Sequence, residues 1–262
     1  MAKNPQVFVF GEKSALEEYL AGRWVEIARA AVAERGFFAA ALSGGRSPAG
    51  FFRRLAAIKD ASLWRDTHIF MVDERIVPHE DEDSNWRMMD EALFRNVPLL
   101  RENIHPVPTD CRPEDCARRY EDGLRAFFRI SAEGEWPVFD LVHLGIGKDG
   151  HTASLFPGSP VLKEKKHLAA AVFPTGQAGG GHDRVTLTYP VLNNARNIVF
   201  LVTGQDKAEI LGRVAGGDPG LPASGIGPRK GSLIVLADSG AASRLKPGSY
   251  LTPTLSARER EG

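Results

Sequence analysis

Short runs rich in β-branched and aromatic residues alternate with longer amphipathic stretches along nearly the whole chain. A parallel sheet covered by helices accounts for that alternation most simply. Residues 6–10 (QVFVF), 37–42 (FFAAAL), 67–72 (THIFMV), 139–144 (FDLVHL), 197–202 and 232–237 read as strands, and 104–108, 167–173 and 184–189 are further candidates. Between them lie helices. One is expected to open with a capping box, Ser14 and Glu17, and to run to about Arg35. Another has Pro48 at its first position, a third is capped by Ser84, and others cover about Pro113 to Ile130 and 205–214. The expected fold is α/β, a three-layer α/β/α sandwich around a mostly parallel, Rossmann-like central sheet. No repeat or long linker divides the 262 residues, so 1–245 are expected to form one domain and 246–262 a polar, loosely held tail.

Charge narrows the class of partner. Thirty-three basic residues balance thirty-three acidic ones, so no global field recruits nucleic acid or an anionic membrane. An anionic ligand must therefore be held by a few local cations, which points to a small molecule. The beginning MAKNPQVFVFGEKS has no small-residue cleavage site, and no apolar stretch reaches the roughly 20 residues that span a bilayer. A cytoplasmic protein is expected, a monomer or weak homodimer. Cys111 and Cys116 fit neither a CxxC nor a zinc-pair spacing and are expected as free thiols.

Ligands of open α/β sheets bind beyond the carboxyl ends of the strands. Three polar clusters fall there. Ser43-Gly44-Gly45-Arg46-Ser47-Pro48 lies between a strand and a helix start, where glycine amides and a helix N-terminus suit an anion, although an ordinary tight turn would read the same. It lacks the GKS or GKT ending of a Walker loop. Asp73-Glu74-Arg75 puts three successive charges at a strand end, where they cannot all be buried unpaired; a solvated loop is the plainer alternative. Ser84 and Asn85, at the next helix start, are placed to brace it.

The third cluster, Gly145-Ile146-Gly147-Lys148-Asp149-Gly150, matches G-x-G-x-x-G after a strand. A dinucleotide loop needs a helix at once and an acid at the end of the next strand, but Pro157 and Pro160 interrupt the continuation and 167–173 leads into FPTG. The loop is better read as an exposed turn that presents Asp149 and His151. An imidazole titrates near neutrality and can take a proton from water and return one to a leaving alcohol. His143, inside a strand, reads instead as a satisfied core residue. No nucleophile elbow or HExxH-type ligand set is visible, which favours direct water attack with no metal and no cofactor. Arg184 and Lys207, at the starts of a strand and a helix, are surface cations or phosphate partners. Whether the Gly176–Gly181 loop closes over a ligand is left open.

Taken together, LSGGRSP (42–48), VDERIVPHEDEDSN (72–85), FDLVHLGIGKDGHTASLFPG (139–158), RVTLTYPVLNNARNIVFLVTGQDKAEIL (184–211) and LPAS (221–224) resemble the 6-phosphogluconolactonase family. DGHTASLFPG is the most specific of these pieces. Ser47 stands where a threonine is often seen, which keeps the hydroxyl. The resemblance spans about Val7 to Asp238 and implies a fold related to glucosamine-6-phosphate deaminases and ribose-5-phosphate isomerases. It implies hydrolysis of 6-phospho-D-glucono-1,5-lactone to 6-phosphogluconate, in the oxidative pentose phosphate pathway. By similarity the phosphate would lie on Ser43, Gly44 and Gly45 with Arg184 and Lys207, and the lactone carbonyl near His151. His151 would then activate water and return its proton to the ring oxygen, oriented by Asp149 or Asp73. Arg75, or amides of the loop containing Gly145, Gly147 and Gly150, would hold the oxyanion, each donor worth ~10²–10³ in rate.

Two rivals remain at this level. An amino-sugar-phosphate deaminase or isomerase on the same fold would carry an acid soon after the histidine, and Thr152 to Gly158 contains none. A non-enzymatic sugar-phosphate sensor would usually bring a DNA-binding module, for which the balanced charge and a strand starting near residue 6 leave no sign.

Overall fold

Residues 5–45, 47–174 and 181–253 are described by the structure, a computed structural model. Arg46 and most of the Gly176–Gly181 loop lie outside them. Among the described residues ten strands, β1 Gln6–Phe10, β2 Phe38–Leu42, β3 Thr67–Met71, β4 Asp73–Arg75, β5 Ile104–His105, β6 Leu141–Leu144, β7 Ala169–Val172, β8 Arg184–Leu187, β9 Asn197–Val202 and β10 Ser232–Asp238, form two sheets. The helices among the described residues are α1 Lys13–Arg35, α2 Ala49–Ala56, α3 Ala61–Arg65, α4 Asn85–Ala92, α5 Pro113–Phe128, α6 Tyr189–Leu192, α7 Ala208–Ala215 and α8 Ser239–Ala242.

The main sheet has seven strands in the order β1-β10-β9-β6-β2-β3-β5, every pairing is parallel, and helices cover both faces. Strands buried on both faces need continuous apolar runs rather than alternation. FAAAL of β2 meets that demand and is buried throughout. Trp24 of α1 packs edge-on against Phe38 and near Phe51 and Trp64, so one aromatic side chain ties α1, α2 and α3 to the sheet. The expected capping box does not form. The helix begins two residues earlier, with Glu12 rather than Ser14 at its cap, and Glu17 turns inward onto Gly50 of α2. Ser84 does cap α4, accepting from the Arg87 amide at 3.2 Å.

The second sheet, β4-β8-β7, is antiparallel. The candidates at 167–173 and 184–189 are strands, but of this sheet rather than the parallel one. Alternation and length do not distinguish the two pairings. Val72 is the joint: its amide donates to Leu42 of the main sheet, and its carbonyl accepts from Leu187 of the small one. Asp73 therefore leaves the parallel sheet at its carboxyl edge within one residue.

Two further expectations change. Cys111 and Cys116 are joined in a disulfide; the turn entering α5 brings their Cα atoms to 5.7 Å, within the roughly 4.4–6.8 Å such bonds span. The start of the tail is held as well, since Leu251 exchanges backbone hydrogen bonds with Val7 and Val9 along the edge of β1.

Buried imidazoles make stability depend on acid. Burial, with a smaller contribution from His68, lowers the pKa of His105 to about 4, and burial alone lowers that of His143 to about 3. These groups bind protons more readily in the unfolded chain. The stability gained by keeping them neutral is complete above the ordinary value of 6.5 and is lost as pH falls toward the folded values. The thermal midpoint should therefore fall between pH 6.5 and 4, and His105→Phe should flatten that fall. An unaltered slope in the folded variant would contradict this account.

Candidate active site

A cleft of about 540 Å³ opens where β2, β3, β6 and β9 end. It is lined by Ser43, Gly44 and Gly45 from the first loop, Asp73 and Arg75 from the second, Gly145, Gly147 and His151 from the third, and Arg184 and Lys207. Residues from all three sequence clusters and both single cations thus share one wall-to-wall site. Gly150 and Asp149 belong to the same turn but are not among its lining residues.

The third loop folds on itself. The Gly147 amide donates to the His151 carbonyl at 2.8 Å, and the Gly150 amide to the Gly147 carbonyl at 3.0 Å. Those two amides are spent inside the turn, which corrects the expectation that they face an oxyanion. What the turn does is set a pair: His151 Nδ1 lies 2.5 Å from Asp149 Oδ1, and the His151 amide donates to the same oxygen at 3.1 Å. Burial alone would raise the Asp149 carboxyl, but the ring and amide of His151 outweigh it and hold its pKa below the usual range. Gly147 makes room for this approach. A Cβ there would sit 2.1 Å from His151 Nδ1 and 2.7 Å from Asp149 Oδ1. The imidazole leans on Phe156, ring centroids 4.7 Å apart, and is half-buried rather than exposed. No helix follows the loop; 152–159 are bridge and turn.

Asp73 belongs to a different constellation. It is buried, accepts from Ser154 Oγ at 2.6 Å and lies 3.7 Å from Arg184 Nη1. The carboxylate beside the His151 ring is thus that of Asp149. Arg184 is buried as well, with its guanidinium over the Phe156 ring at 5.6 Å; burial pulls its pKa down against the opposing pull of Asp73. Arg184 stands opposite Arg75 in the β4–β8 register, and Arg75 donates to the Asp83 carbonyl. Lys207 donates to the Ile146 carbonyl at 2.8 Å, which puts its ammonium against the Gly145–Gly150 turn.

Glu74 is not in a solvated loop. It is fully buried and accepts from the amides of Arg75, Asn85 and Trp86 at 2.7–2.8 Å and from Ser84 Oγ at 3.1 Å. Burial raises its pKa, and the three amides oppose that rise. The carboxylate thereby fastens the start of α4 to β4. Asn85 then donates to the Asp73 carbonyl at 3.0 Å and lies so close to Gly44 that a Cβ there would overlap it. Ser84 and Asn85 brace the loop as expected.

Ser154, Phe156 and the environment of His143 were not legible beforehand. The first two sit within DGHTASLFPG, but only their contacts with Asp73, Arg184 and His151 give them a part. His143 is buried without a hydrogen-bond partner on either ring nitrogen among the described residues, so it is not the satisfied core residue expected. Those residues also contain no group of three or more His, Cys, Asp or Glu poised to hold a metal, and no helix long and apolar enough to cross a membrane.

This fold, with its sugar-sized polar cleft at the strand ends, belongs to a recognisable class. The chain matches the family of glucosamine-6-phosphate isomerases/6-phosphogluconolactonase over residues 11–235, and it is a member of that family. It is 42% identical to a 6-phosphogluconolactonase of Synechocystis sp., a match covering 93% of this chain and 99% of the relative, and 39% identical to one of Nostoc sp., covering 82% and 88%. The solved structure of 6-phosphogluconolactonase from Trypanosoma cruzi superposes with a TM-score of 0.84 at 29% identity, covering 94% of this chain and 98% of that one.

The geometry of the third loop carries its own test. Gly147→Ala should fold, yet displace His151 or Asp149. Misplacement of about 1 Å can cost ~10² in rate, so kcat should fall by about that factor with an unchanged circular dichroism spectrum. Wild-type kcat in that variant would show that the close approach is dispensable.

Proposed function

We propose that this chain hydrolyses 6-phospho-D-glucono-1,5-lactone to 6-phosphogluconate, the lactone step of the oxidative pentose phosphate pathway, with His151 as general base and acid. The observation that carries the assignment of roles is the 2.5 Å approach of Asp149 to His151 Nδ1 in the cleft that also holds Arg184 and Lys207. A carboxylate at Nδ1 favours the tautomer whose Nε2 accepts a proton, and it stabilises the imidazolium that forms.

The steps follow from that pairing. His151 Nε2 removes a proton from water, whose oxygen attacks the lactone carbonyl. The carbonyl electrons move onto oxygen, and Arg75 is the cation positioned to face the oxyanion. Collapse of the tetrahedral intermediate breaks the bond to the ring oxygen, which takes the proton from His151. The phosphate lies on Ser43, Gly44 and Gly45 with Lys207 and Arg184, which anchor the substrate without joining the chemistry. Asp73 acts here through Arg184 and Ser154, holding the wall rather than the base.

We further propose a cytoplasmic monomer or weak homodimer. Gel filtration across a concentration series checks the oligomeric part. Neither nucleic acid nor membrane is a partner in this reading.

His151→Ala should lower kcat by about 10²–10⁴, the usual worth of a positioned acid–base group, and Asp149→Asn should lower it in the same direction. The assay follows loss of freshly made lactone against its spontaneous hydrolysis. A folded His151→Ala enzyme within a few-fold of wild type would remove the histidine from the chemistry. Lys207→Met should raise KM for the phosphorylated lactone more than it lowers kcat, and leave the unphosphorylated lactone little affected. Arg184→Ala is a less clean probe, since it also strands buried Asp73. Activity should survive exhaustive EDTA; loss that zinc or magnesium restores would defeat the metal-free scheme.

A further inference from the structure

His143 is placed where a leucine would be simpler. Its neighbours on β6 are Leu141, Val142 and Leu144, and its ring packs against Phe51 and Phe52 of α2 at centroid distances of 5.6 and 6.1 Å. Only 1% of its surface is exposed, and neither Nδ1 nor Nε2 has a hydrogen-bond partner among the described residues. Leaving the donor and the acceptor of a buried imidazole unmade costs stability that an apolar side chain of similar shape would not. Ser43 repeats the anomaly next door. Its amide donates to the His143 carbonyl at 3.2 Å, while its own Oγ is buried without a partner among the described residues. Both residues line the cleft.

Two unsatisfied polar side chains, one on β6 and one just past the end of the adjacent β2, both lining the cleft that His151 also lines, point to ligand groups that complete them. We propose that the His143 ring, beside the Ser43 given above to the phosphate, receives a hydroxyl group of the bound sugar lactone. This deepens the reading of the chain as a lactone hydrolase and rests on it. A hydroxyl both donates and accepts, as a neutral imidazole does, so the two are matched in a way that a phosphate and an imidazole are not. Burial keeps the ring neutral, with its pKa near 3, so His143 offers neither a cation for the phosphate nor a base for water. Arg184 and Lys207 supply the cations elsewhere in the cleft. His143 is thereby a binding and specificity residue, distinct in role from His151.

The test uses the whole chain with 6-phosphogluconolactone as substrate and 6-phosphogluconate as a stable product ligand. In His143→Leu, KM for the lactone and Ki for 6-phosphogluconate should rise together by about 3- to 10-fold, the worth of one neutral hydrogen bond. The thermal midpoint should not fall, because an unsatisfied group has been removed. His143→Gln, which keeps a donor and an acceptor, should recover part of the affinity. A folded His143→Leu enzyme with wild-type KM and Ki overturns the proposal. Should that variant fail to fold, the ¹⁵N ring signals of His143 in the wild-type protein decide. Saturating 6-phosphogluconate should shift them, and signals that stay put overturn the proposal equally. A wild-type protein that neither hydrolyses the lactone nor binds 6-phosphogluconate fails differently, removing the functional reading and this inference with it.

Discussion

Two buried carboxylates in succession, Asp73 and Glu74, set the terms on which the rest of the cleft is built. Each would be prohibitively unstable as an unpaired charge in the interior. Their side chains point to opposite sides of β4, so they draw different partners. Glu74 gathers the amides and hydroxyl at the start of α4. Asp73 gathers Ser154 from the loop after His151 and Arg184 from β8. Satisfying two charges therefore fixes a helix, a loop and a strand around one opening.

That network also keeps the two halves of the site separate. Ser154 ties the segment after the His151 turn to Asp73, while Asp149 serves the imidazole from within the turn itself. Phe156 lies between the two, in contact with the His151 ring on one hand and the Arg184 guanidinium on the other. It is an apolar plate between the proposed anion-binding cation and the proposed proton-transferring base.

Most of the strands and the three polar clusters were legible in the chain because their signals are local. A continuous apolar run such as FAAAL is a buried strand wherever it sits, and Asp149 lies two residues before His151 in a turn that closes on its own amides. Glu17 shows the limit of local rules. Its spacing from Ser14 invites a capping box, yet the packing of α2 takes the side chain for another purpose. The antiparallel second sheet was not legible for a related reason. Residues 167–173 and 184–189 look like strands, but nothing in their alternation names the neighbour with which they pair.

Sequence by itself determined which residues could do chemistry here and brought Asp149, Gly147 and His151 together, since all three belong to one five-residue turn. Only the tertiary structure decided what lies between distant segments. It chose Asp149 over Asp73 as the carboxylate at the imidazole, paired Asp73 with Ser154 across 81 positions of chain, and joined the two cysteines. It also left the side chains of His143 and Ser43, both lining the cleft, without a hydrogen-bond partner among the described residues. The physical reason is the same in each case. Whether a polar group is stable depends on the water it loses and the partner it gains, and both are set by packing between segments that the order of residues does not place side by side.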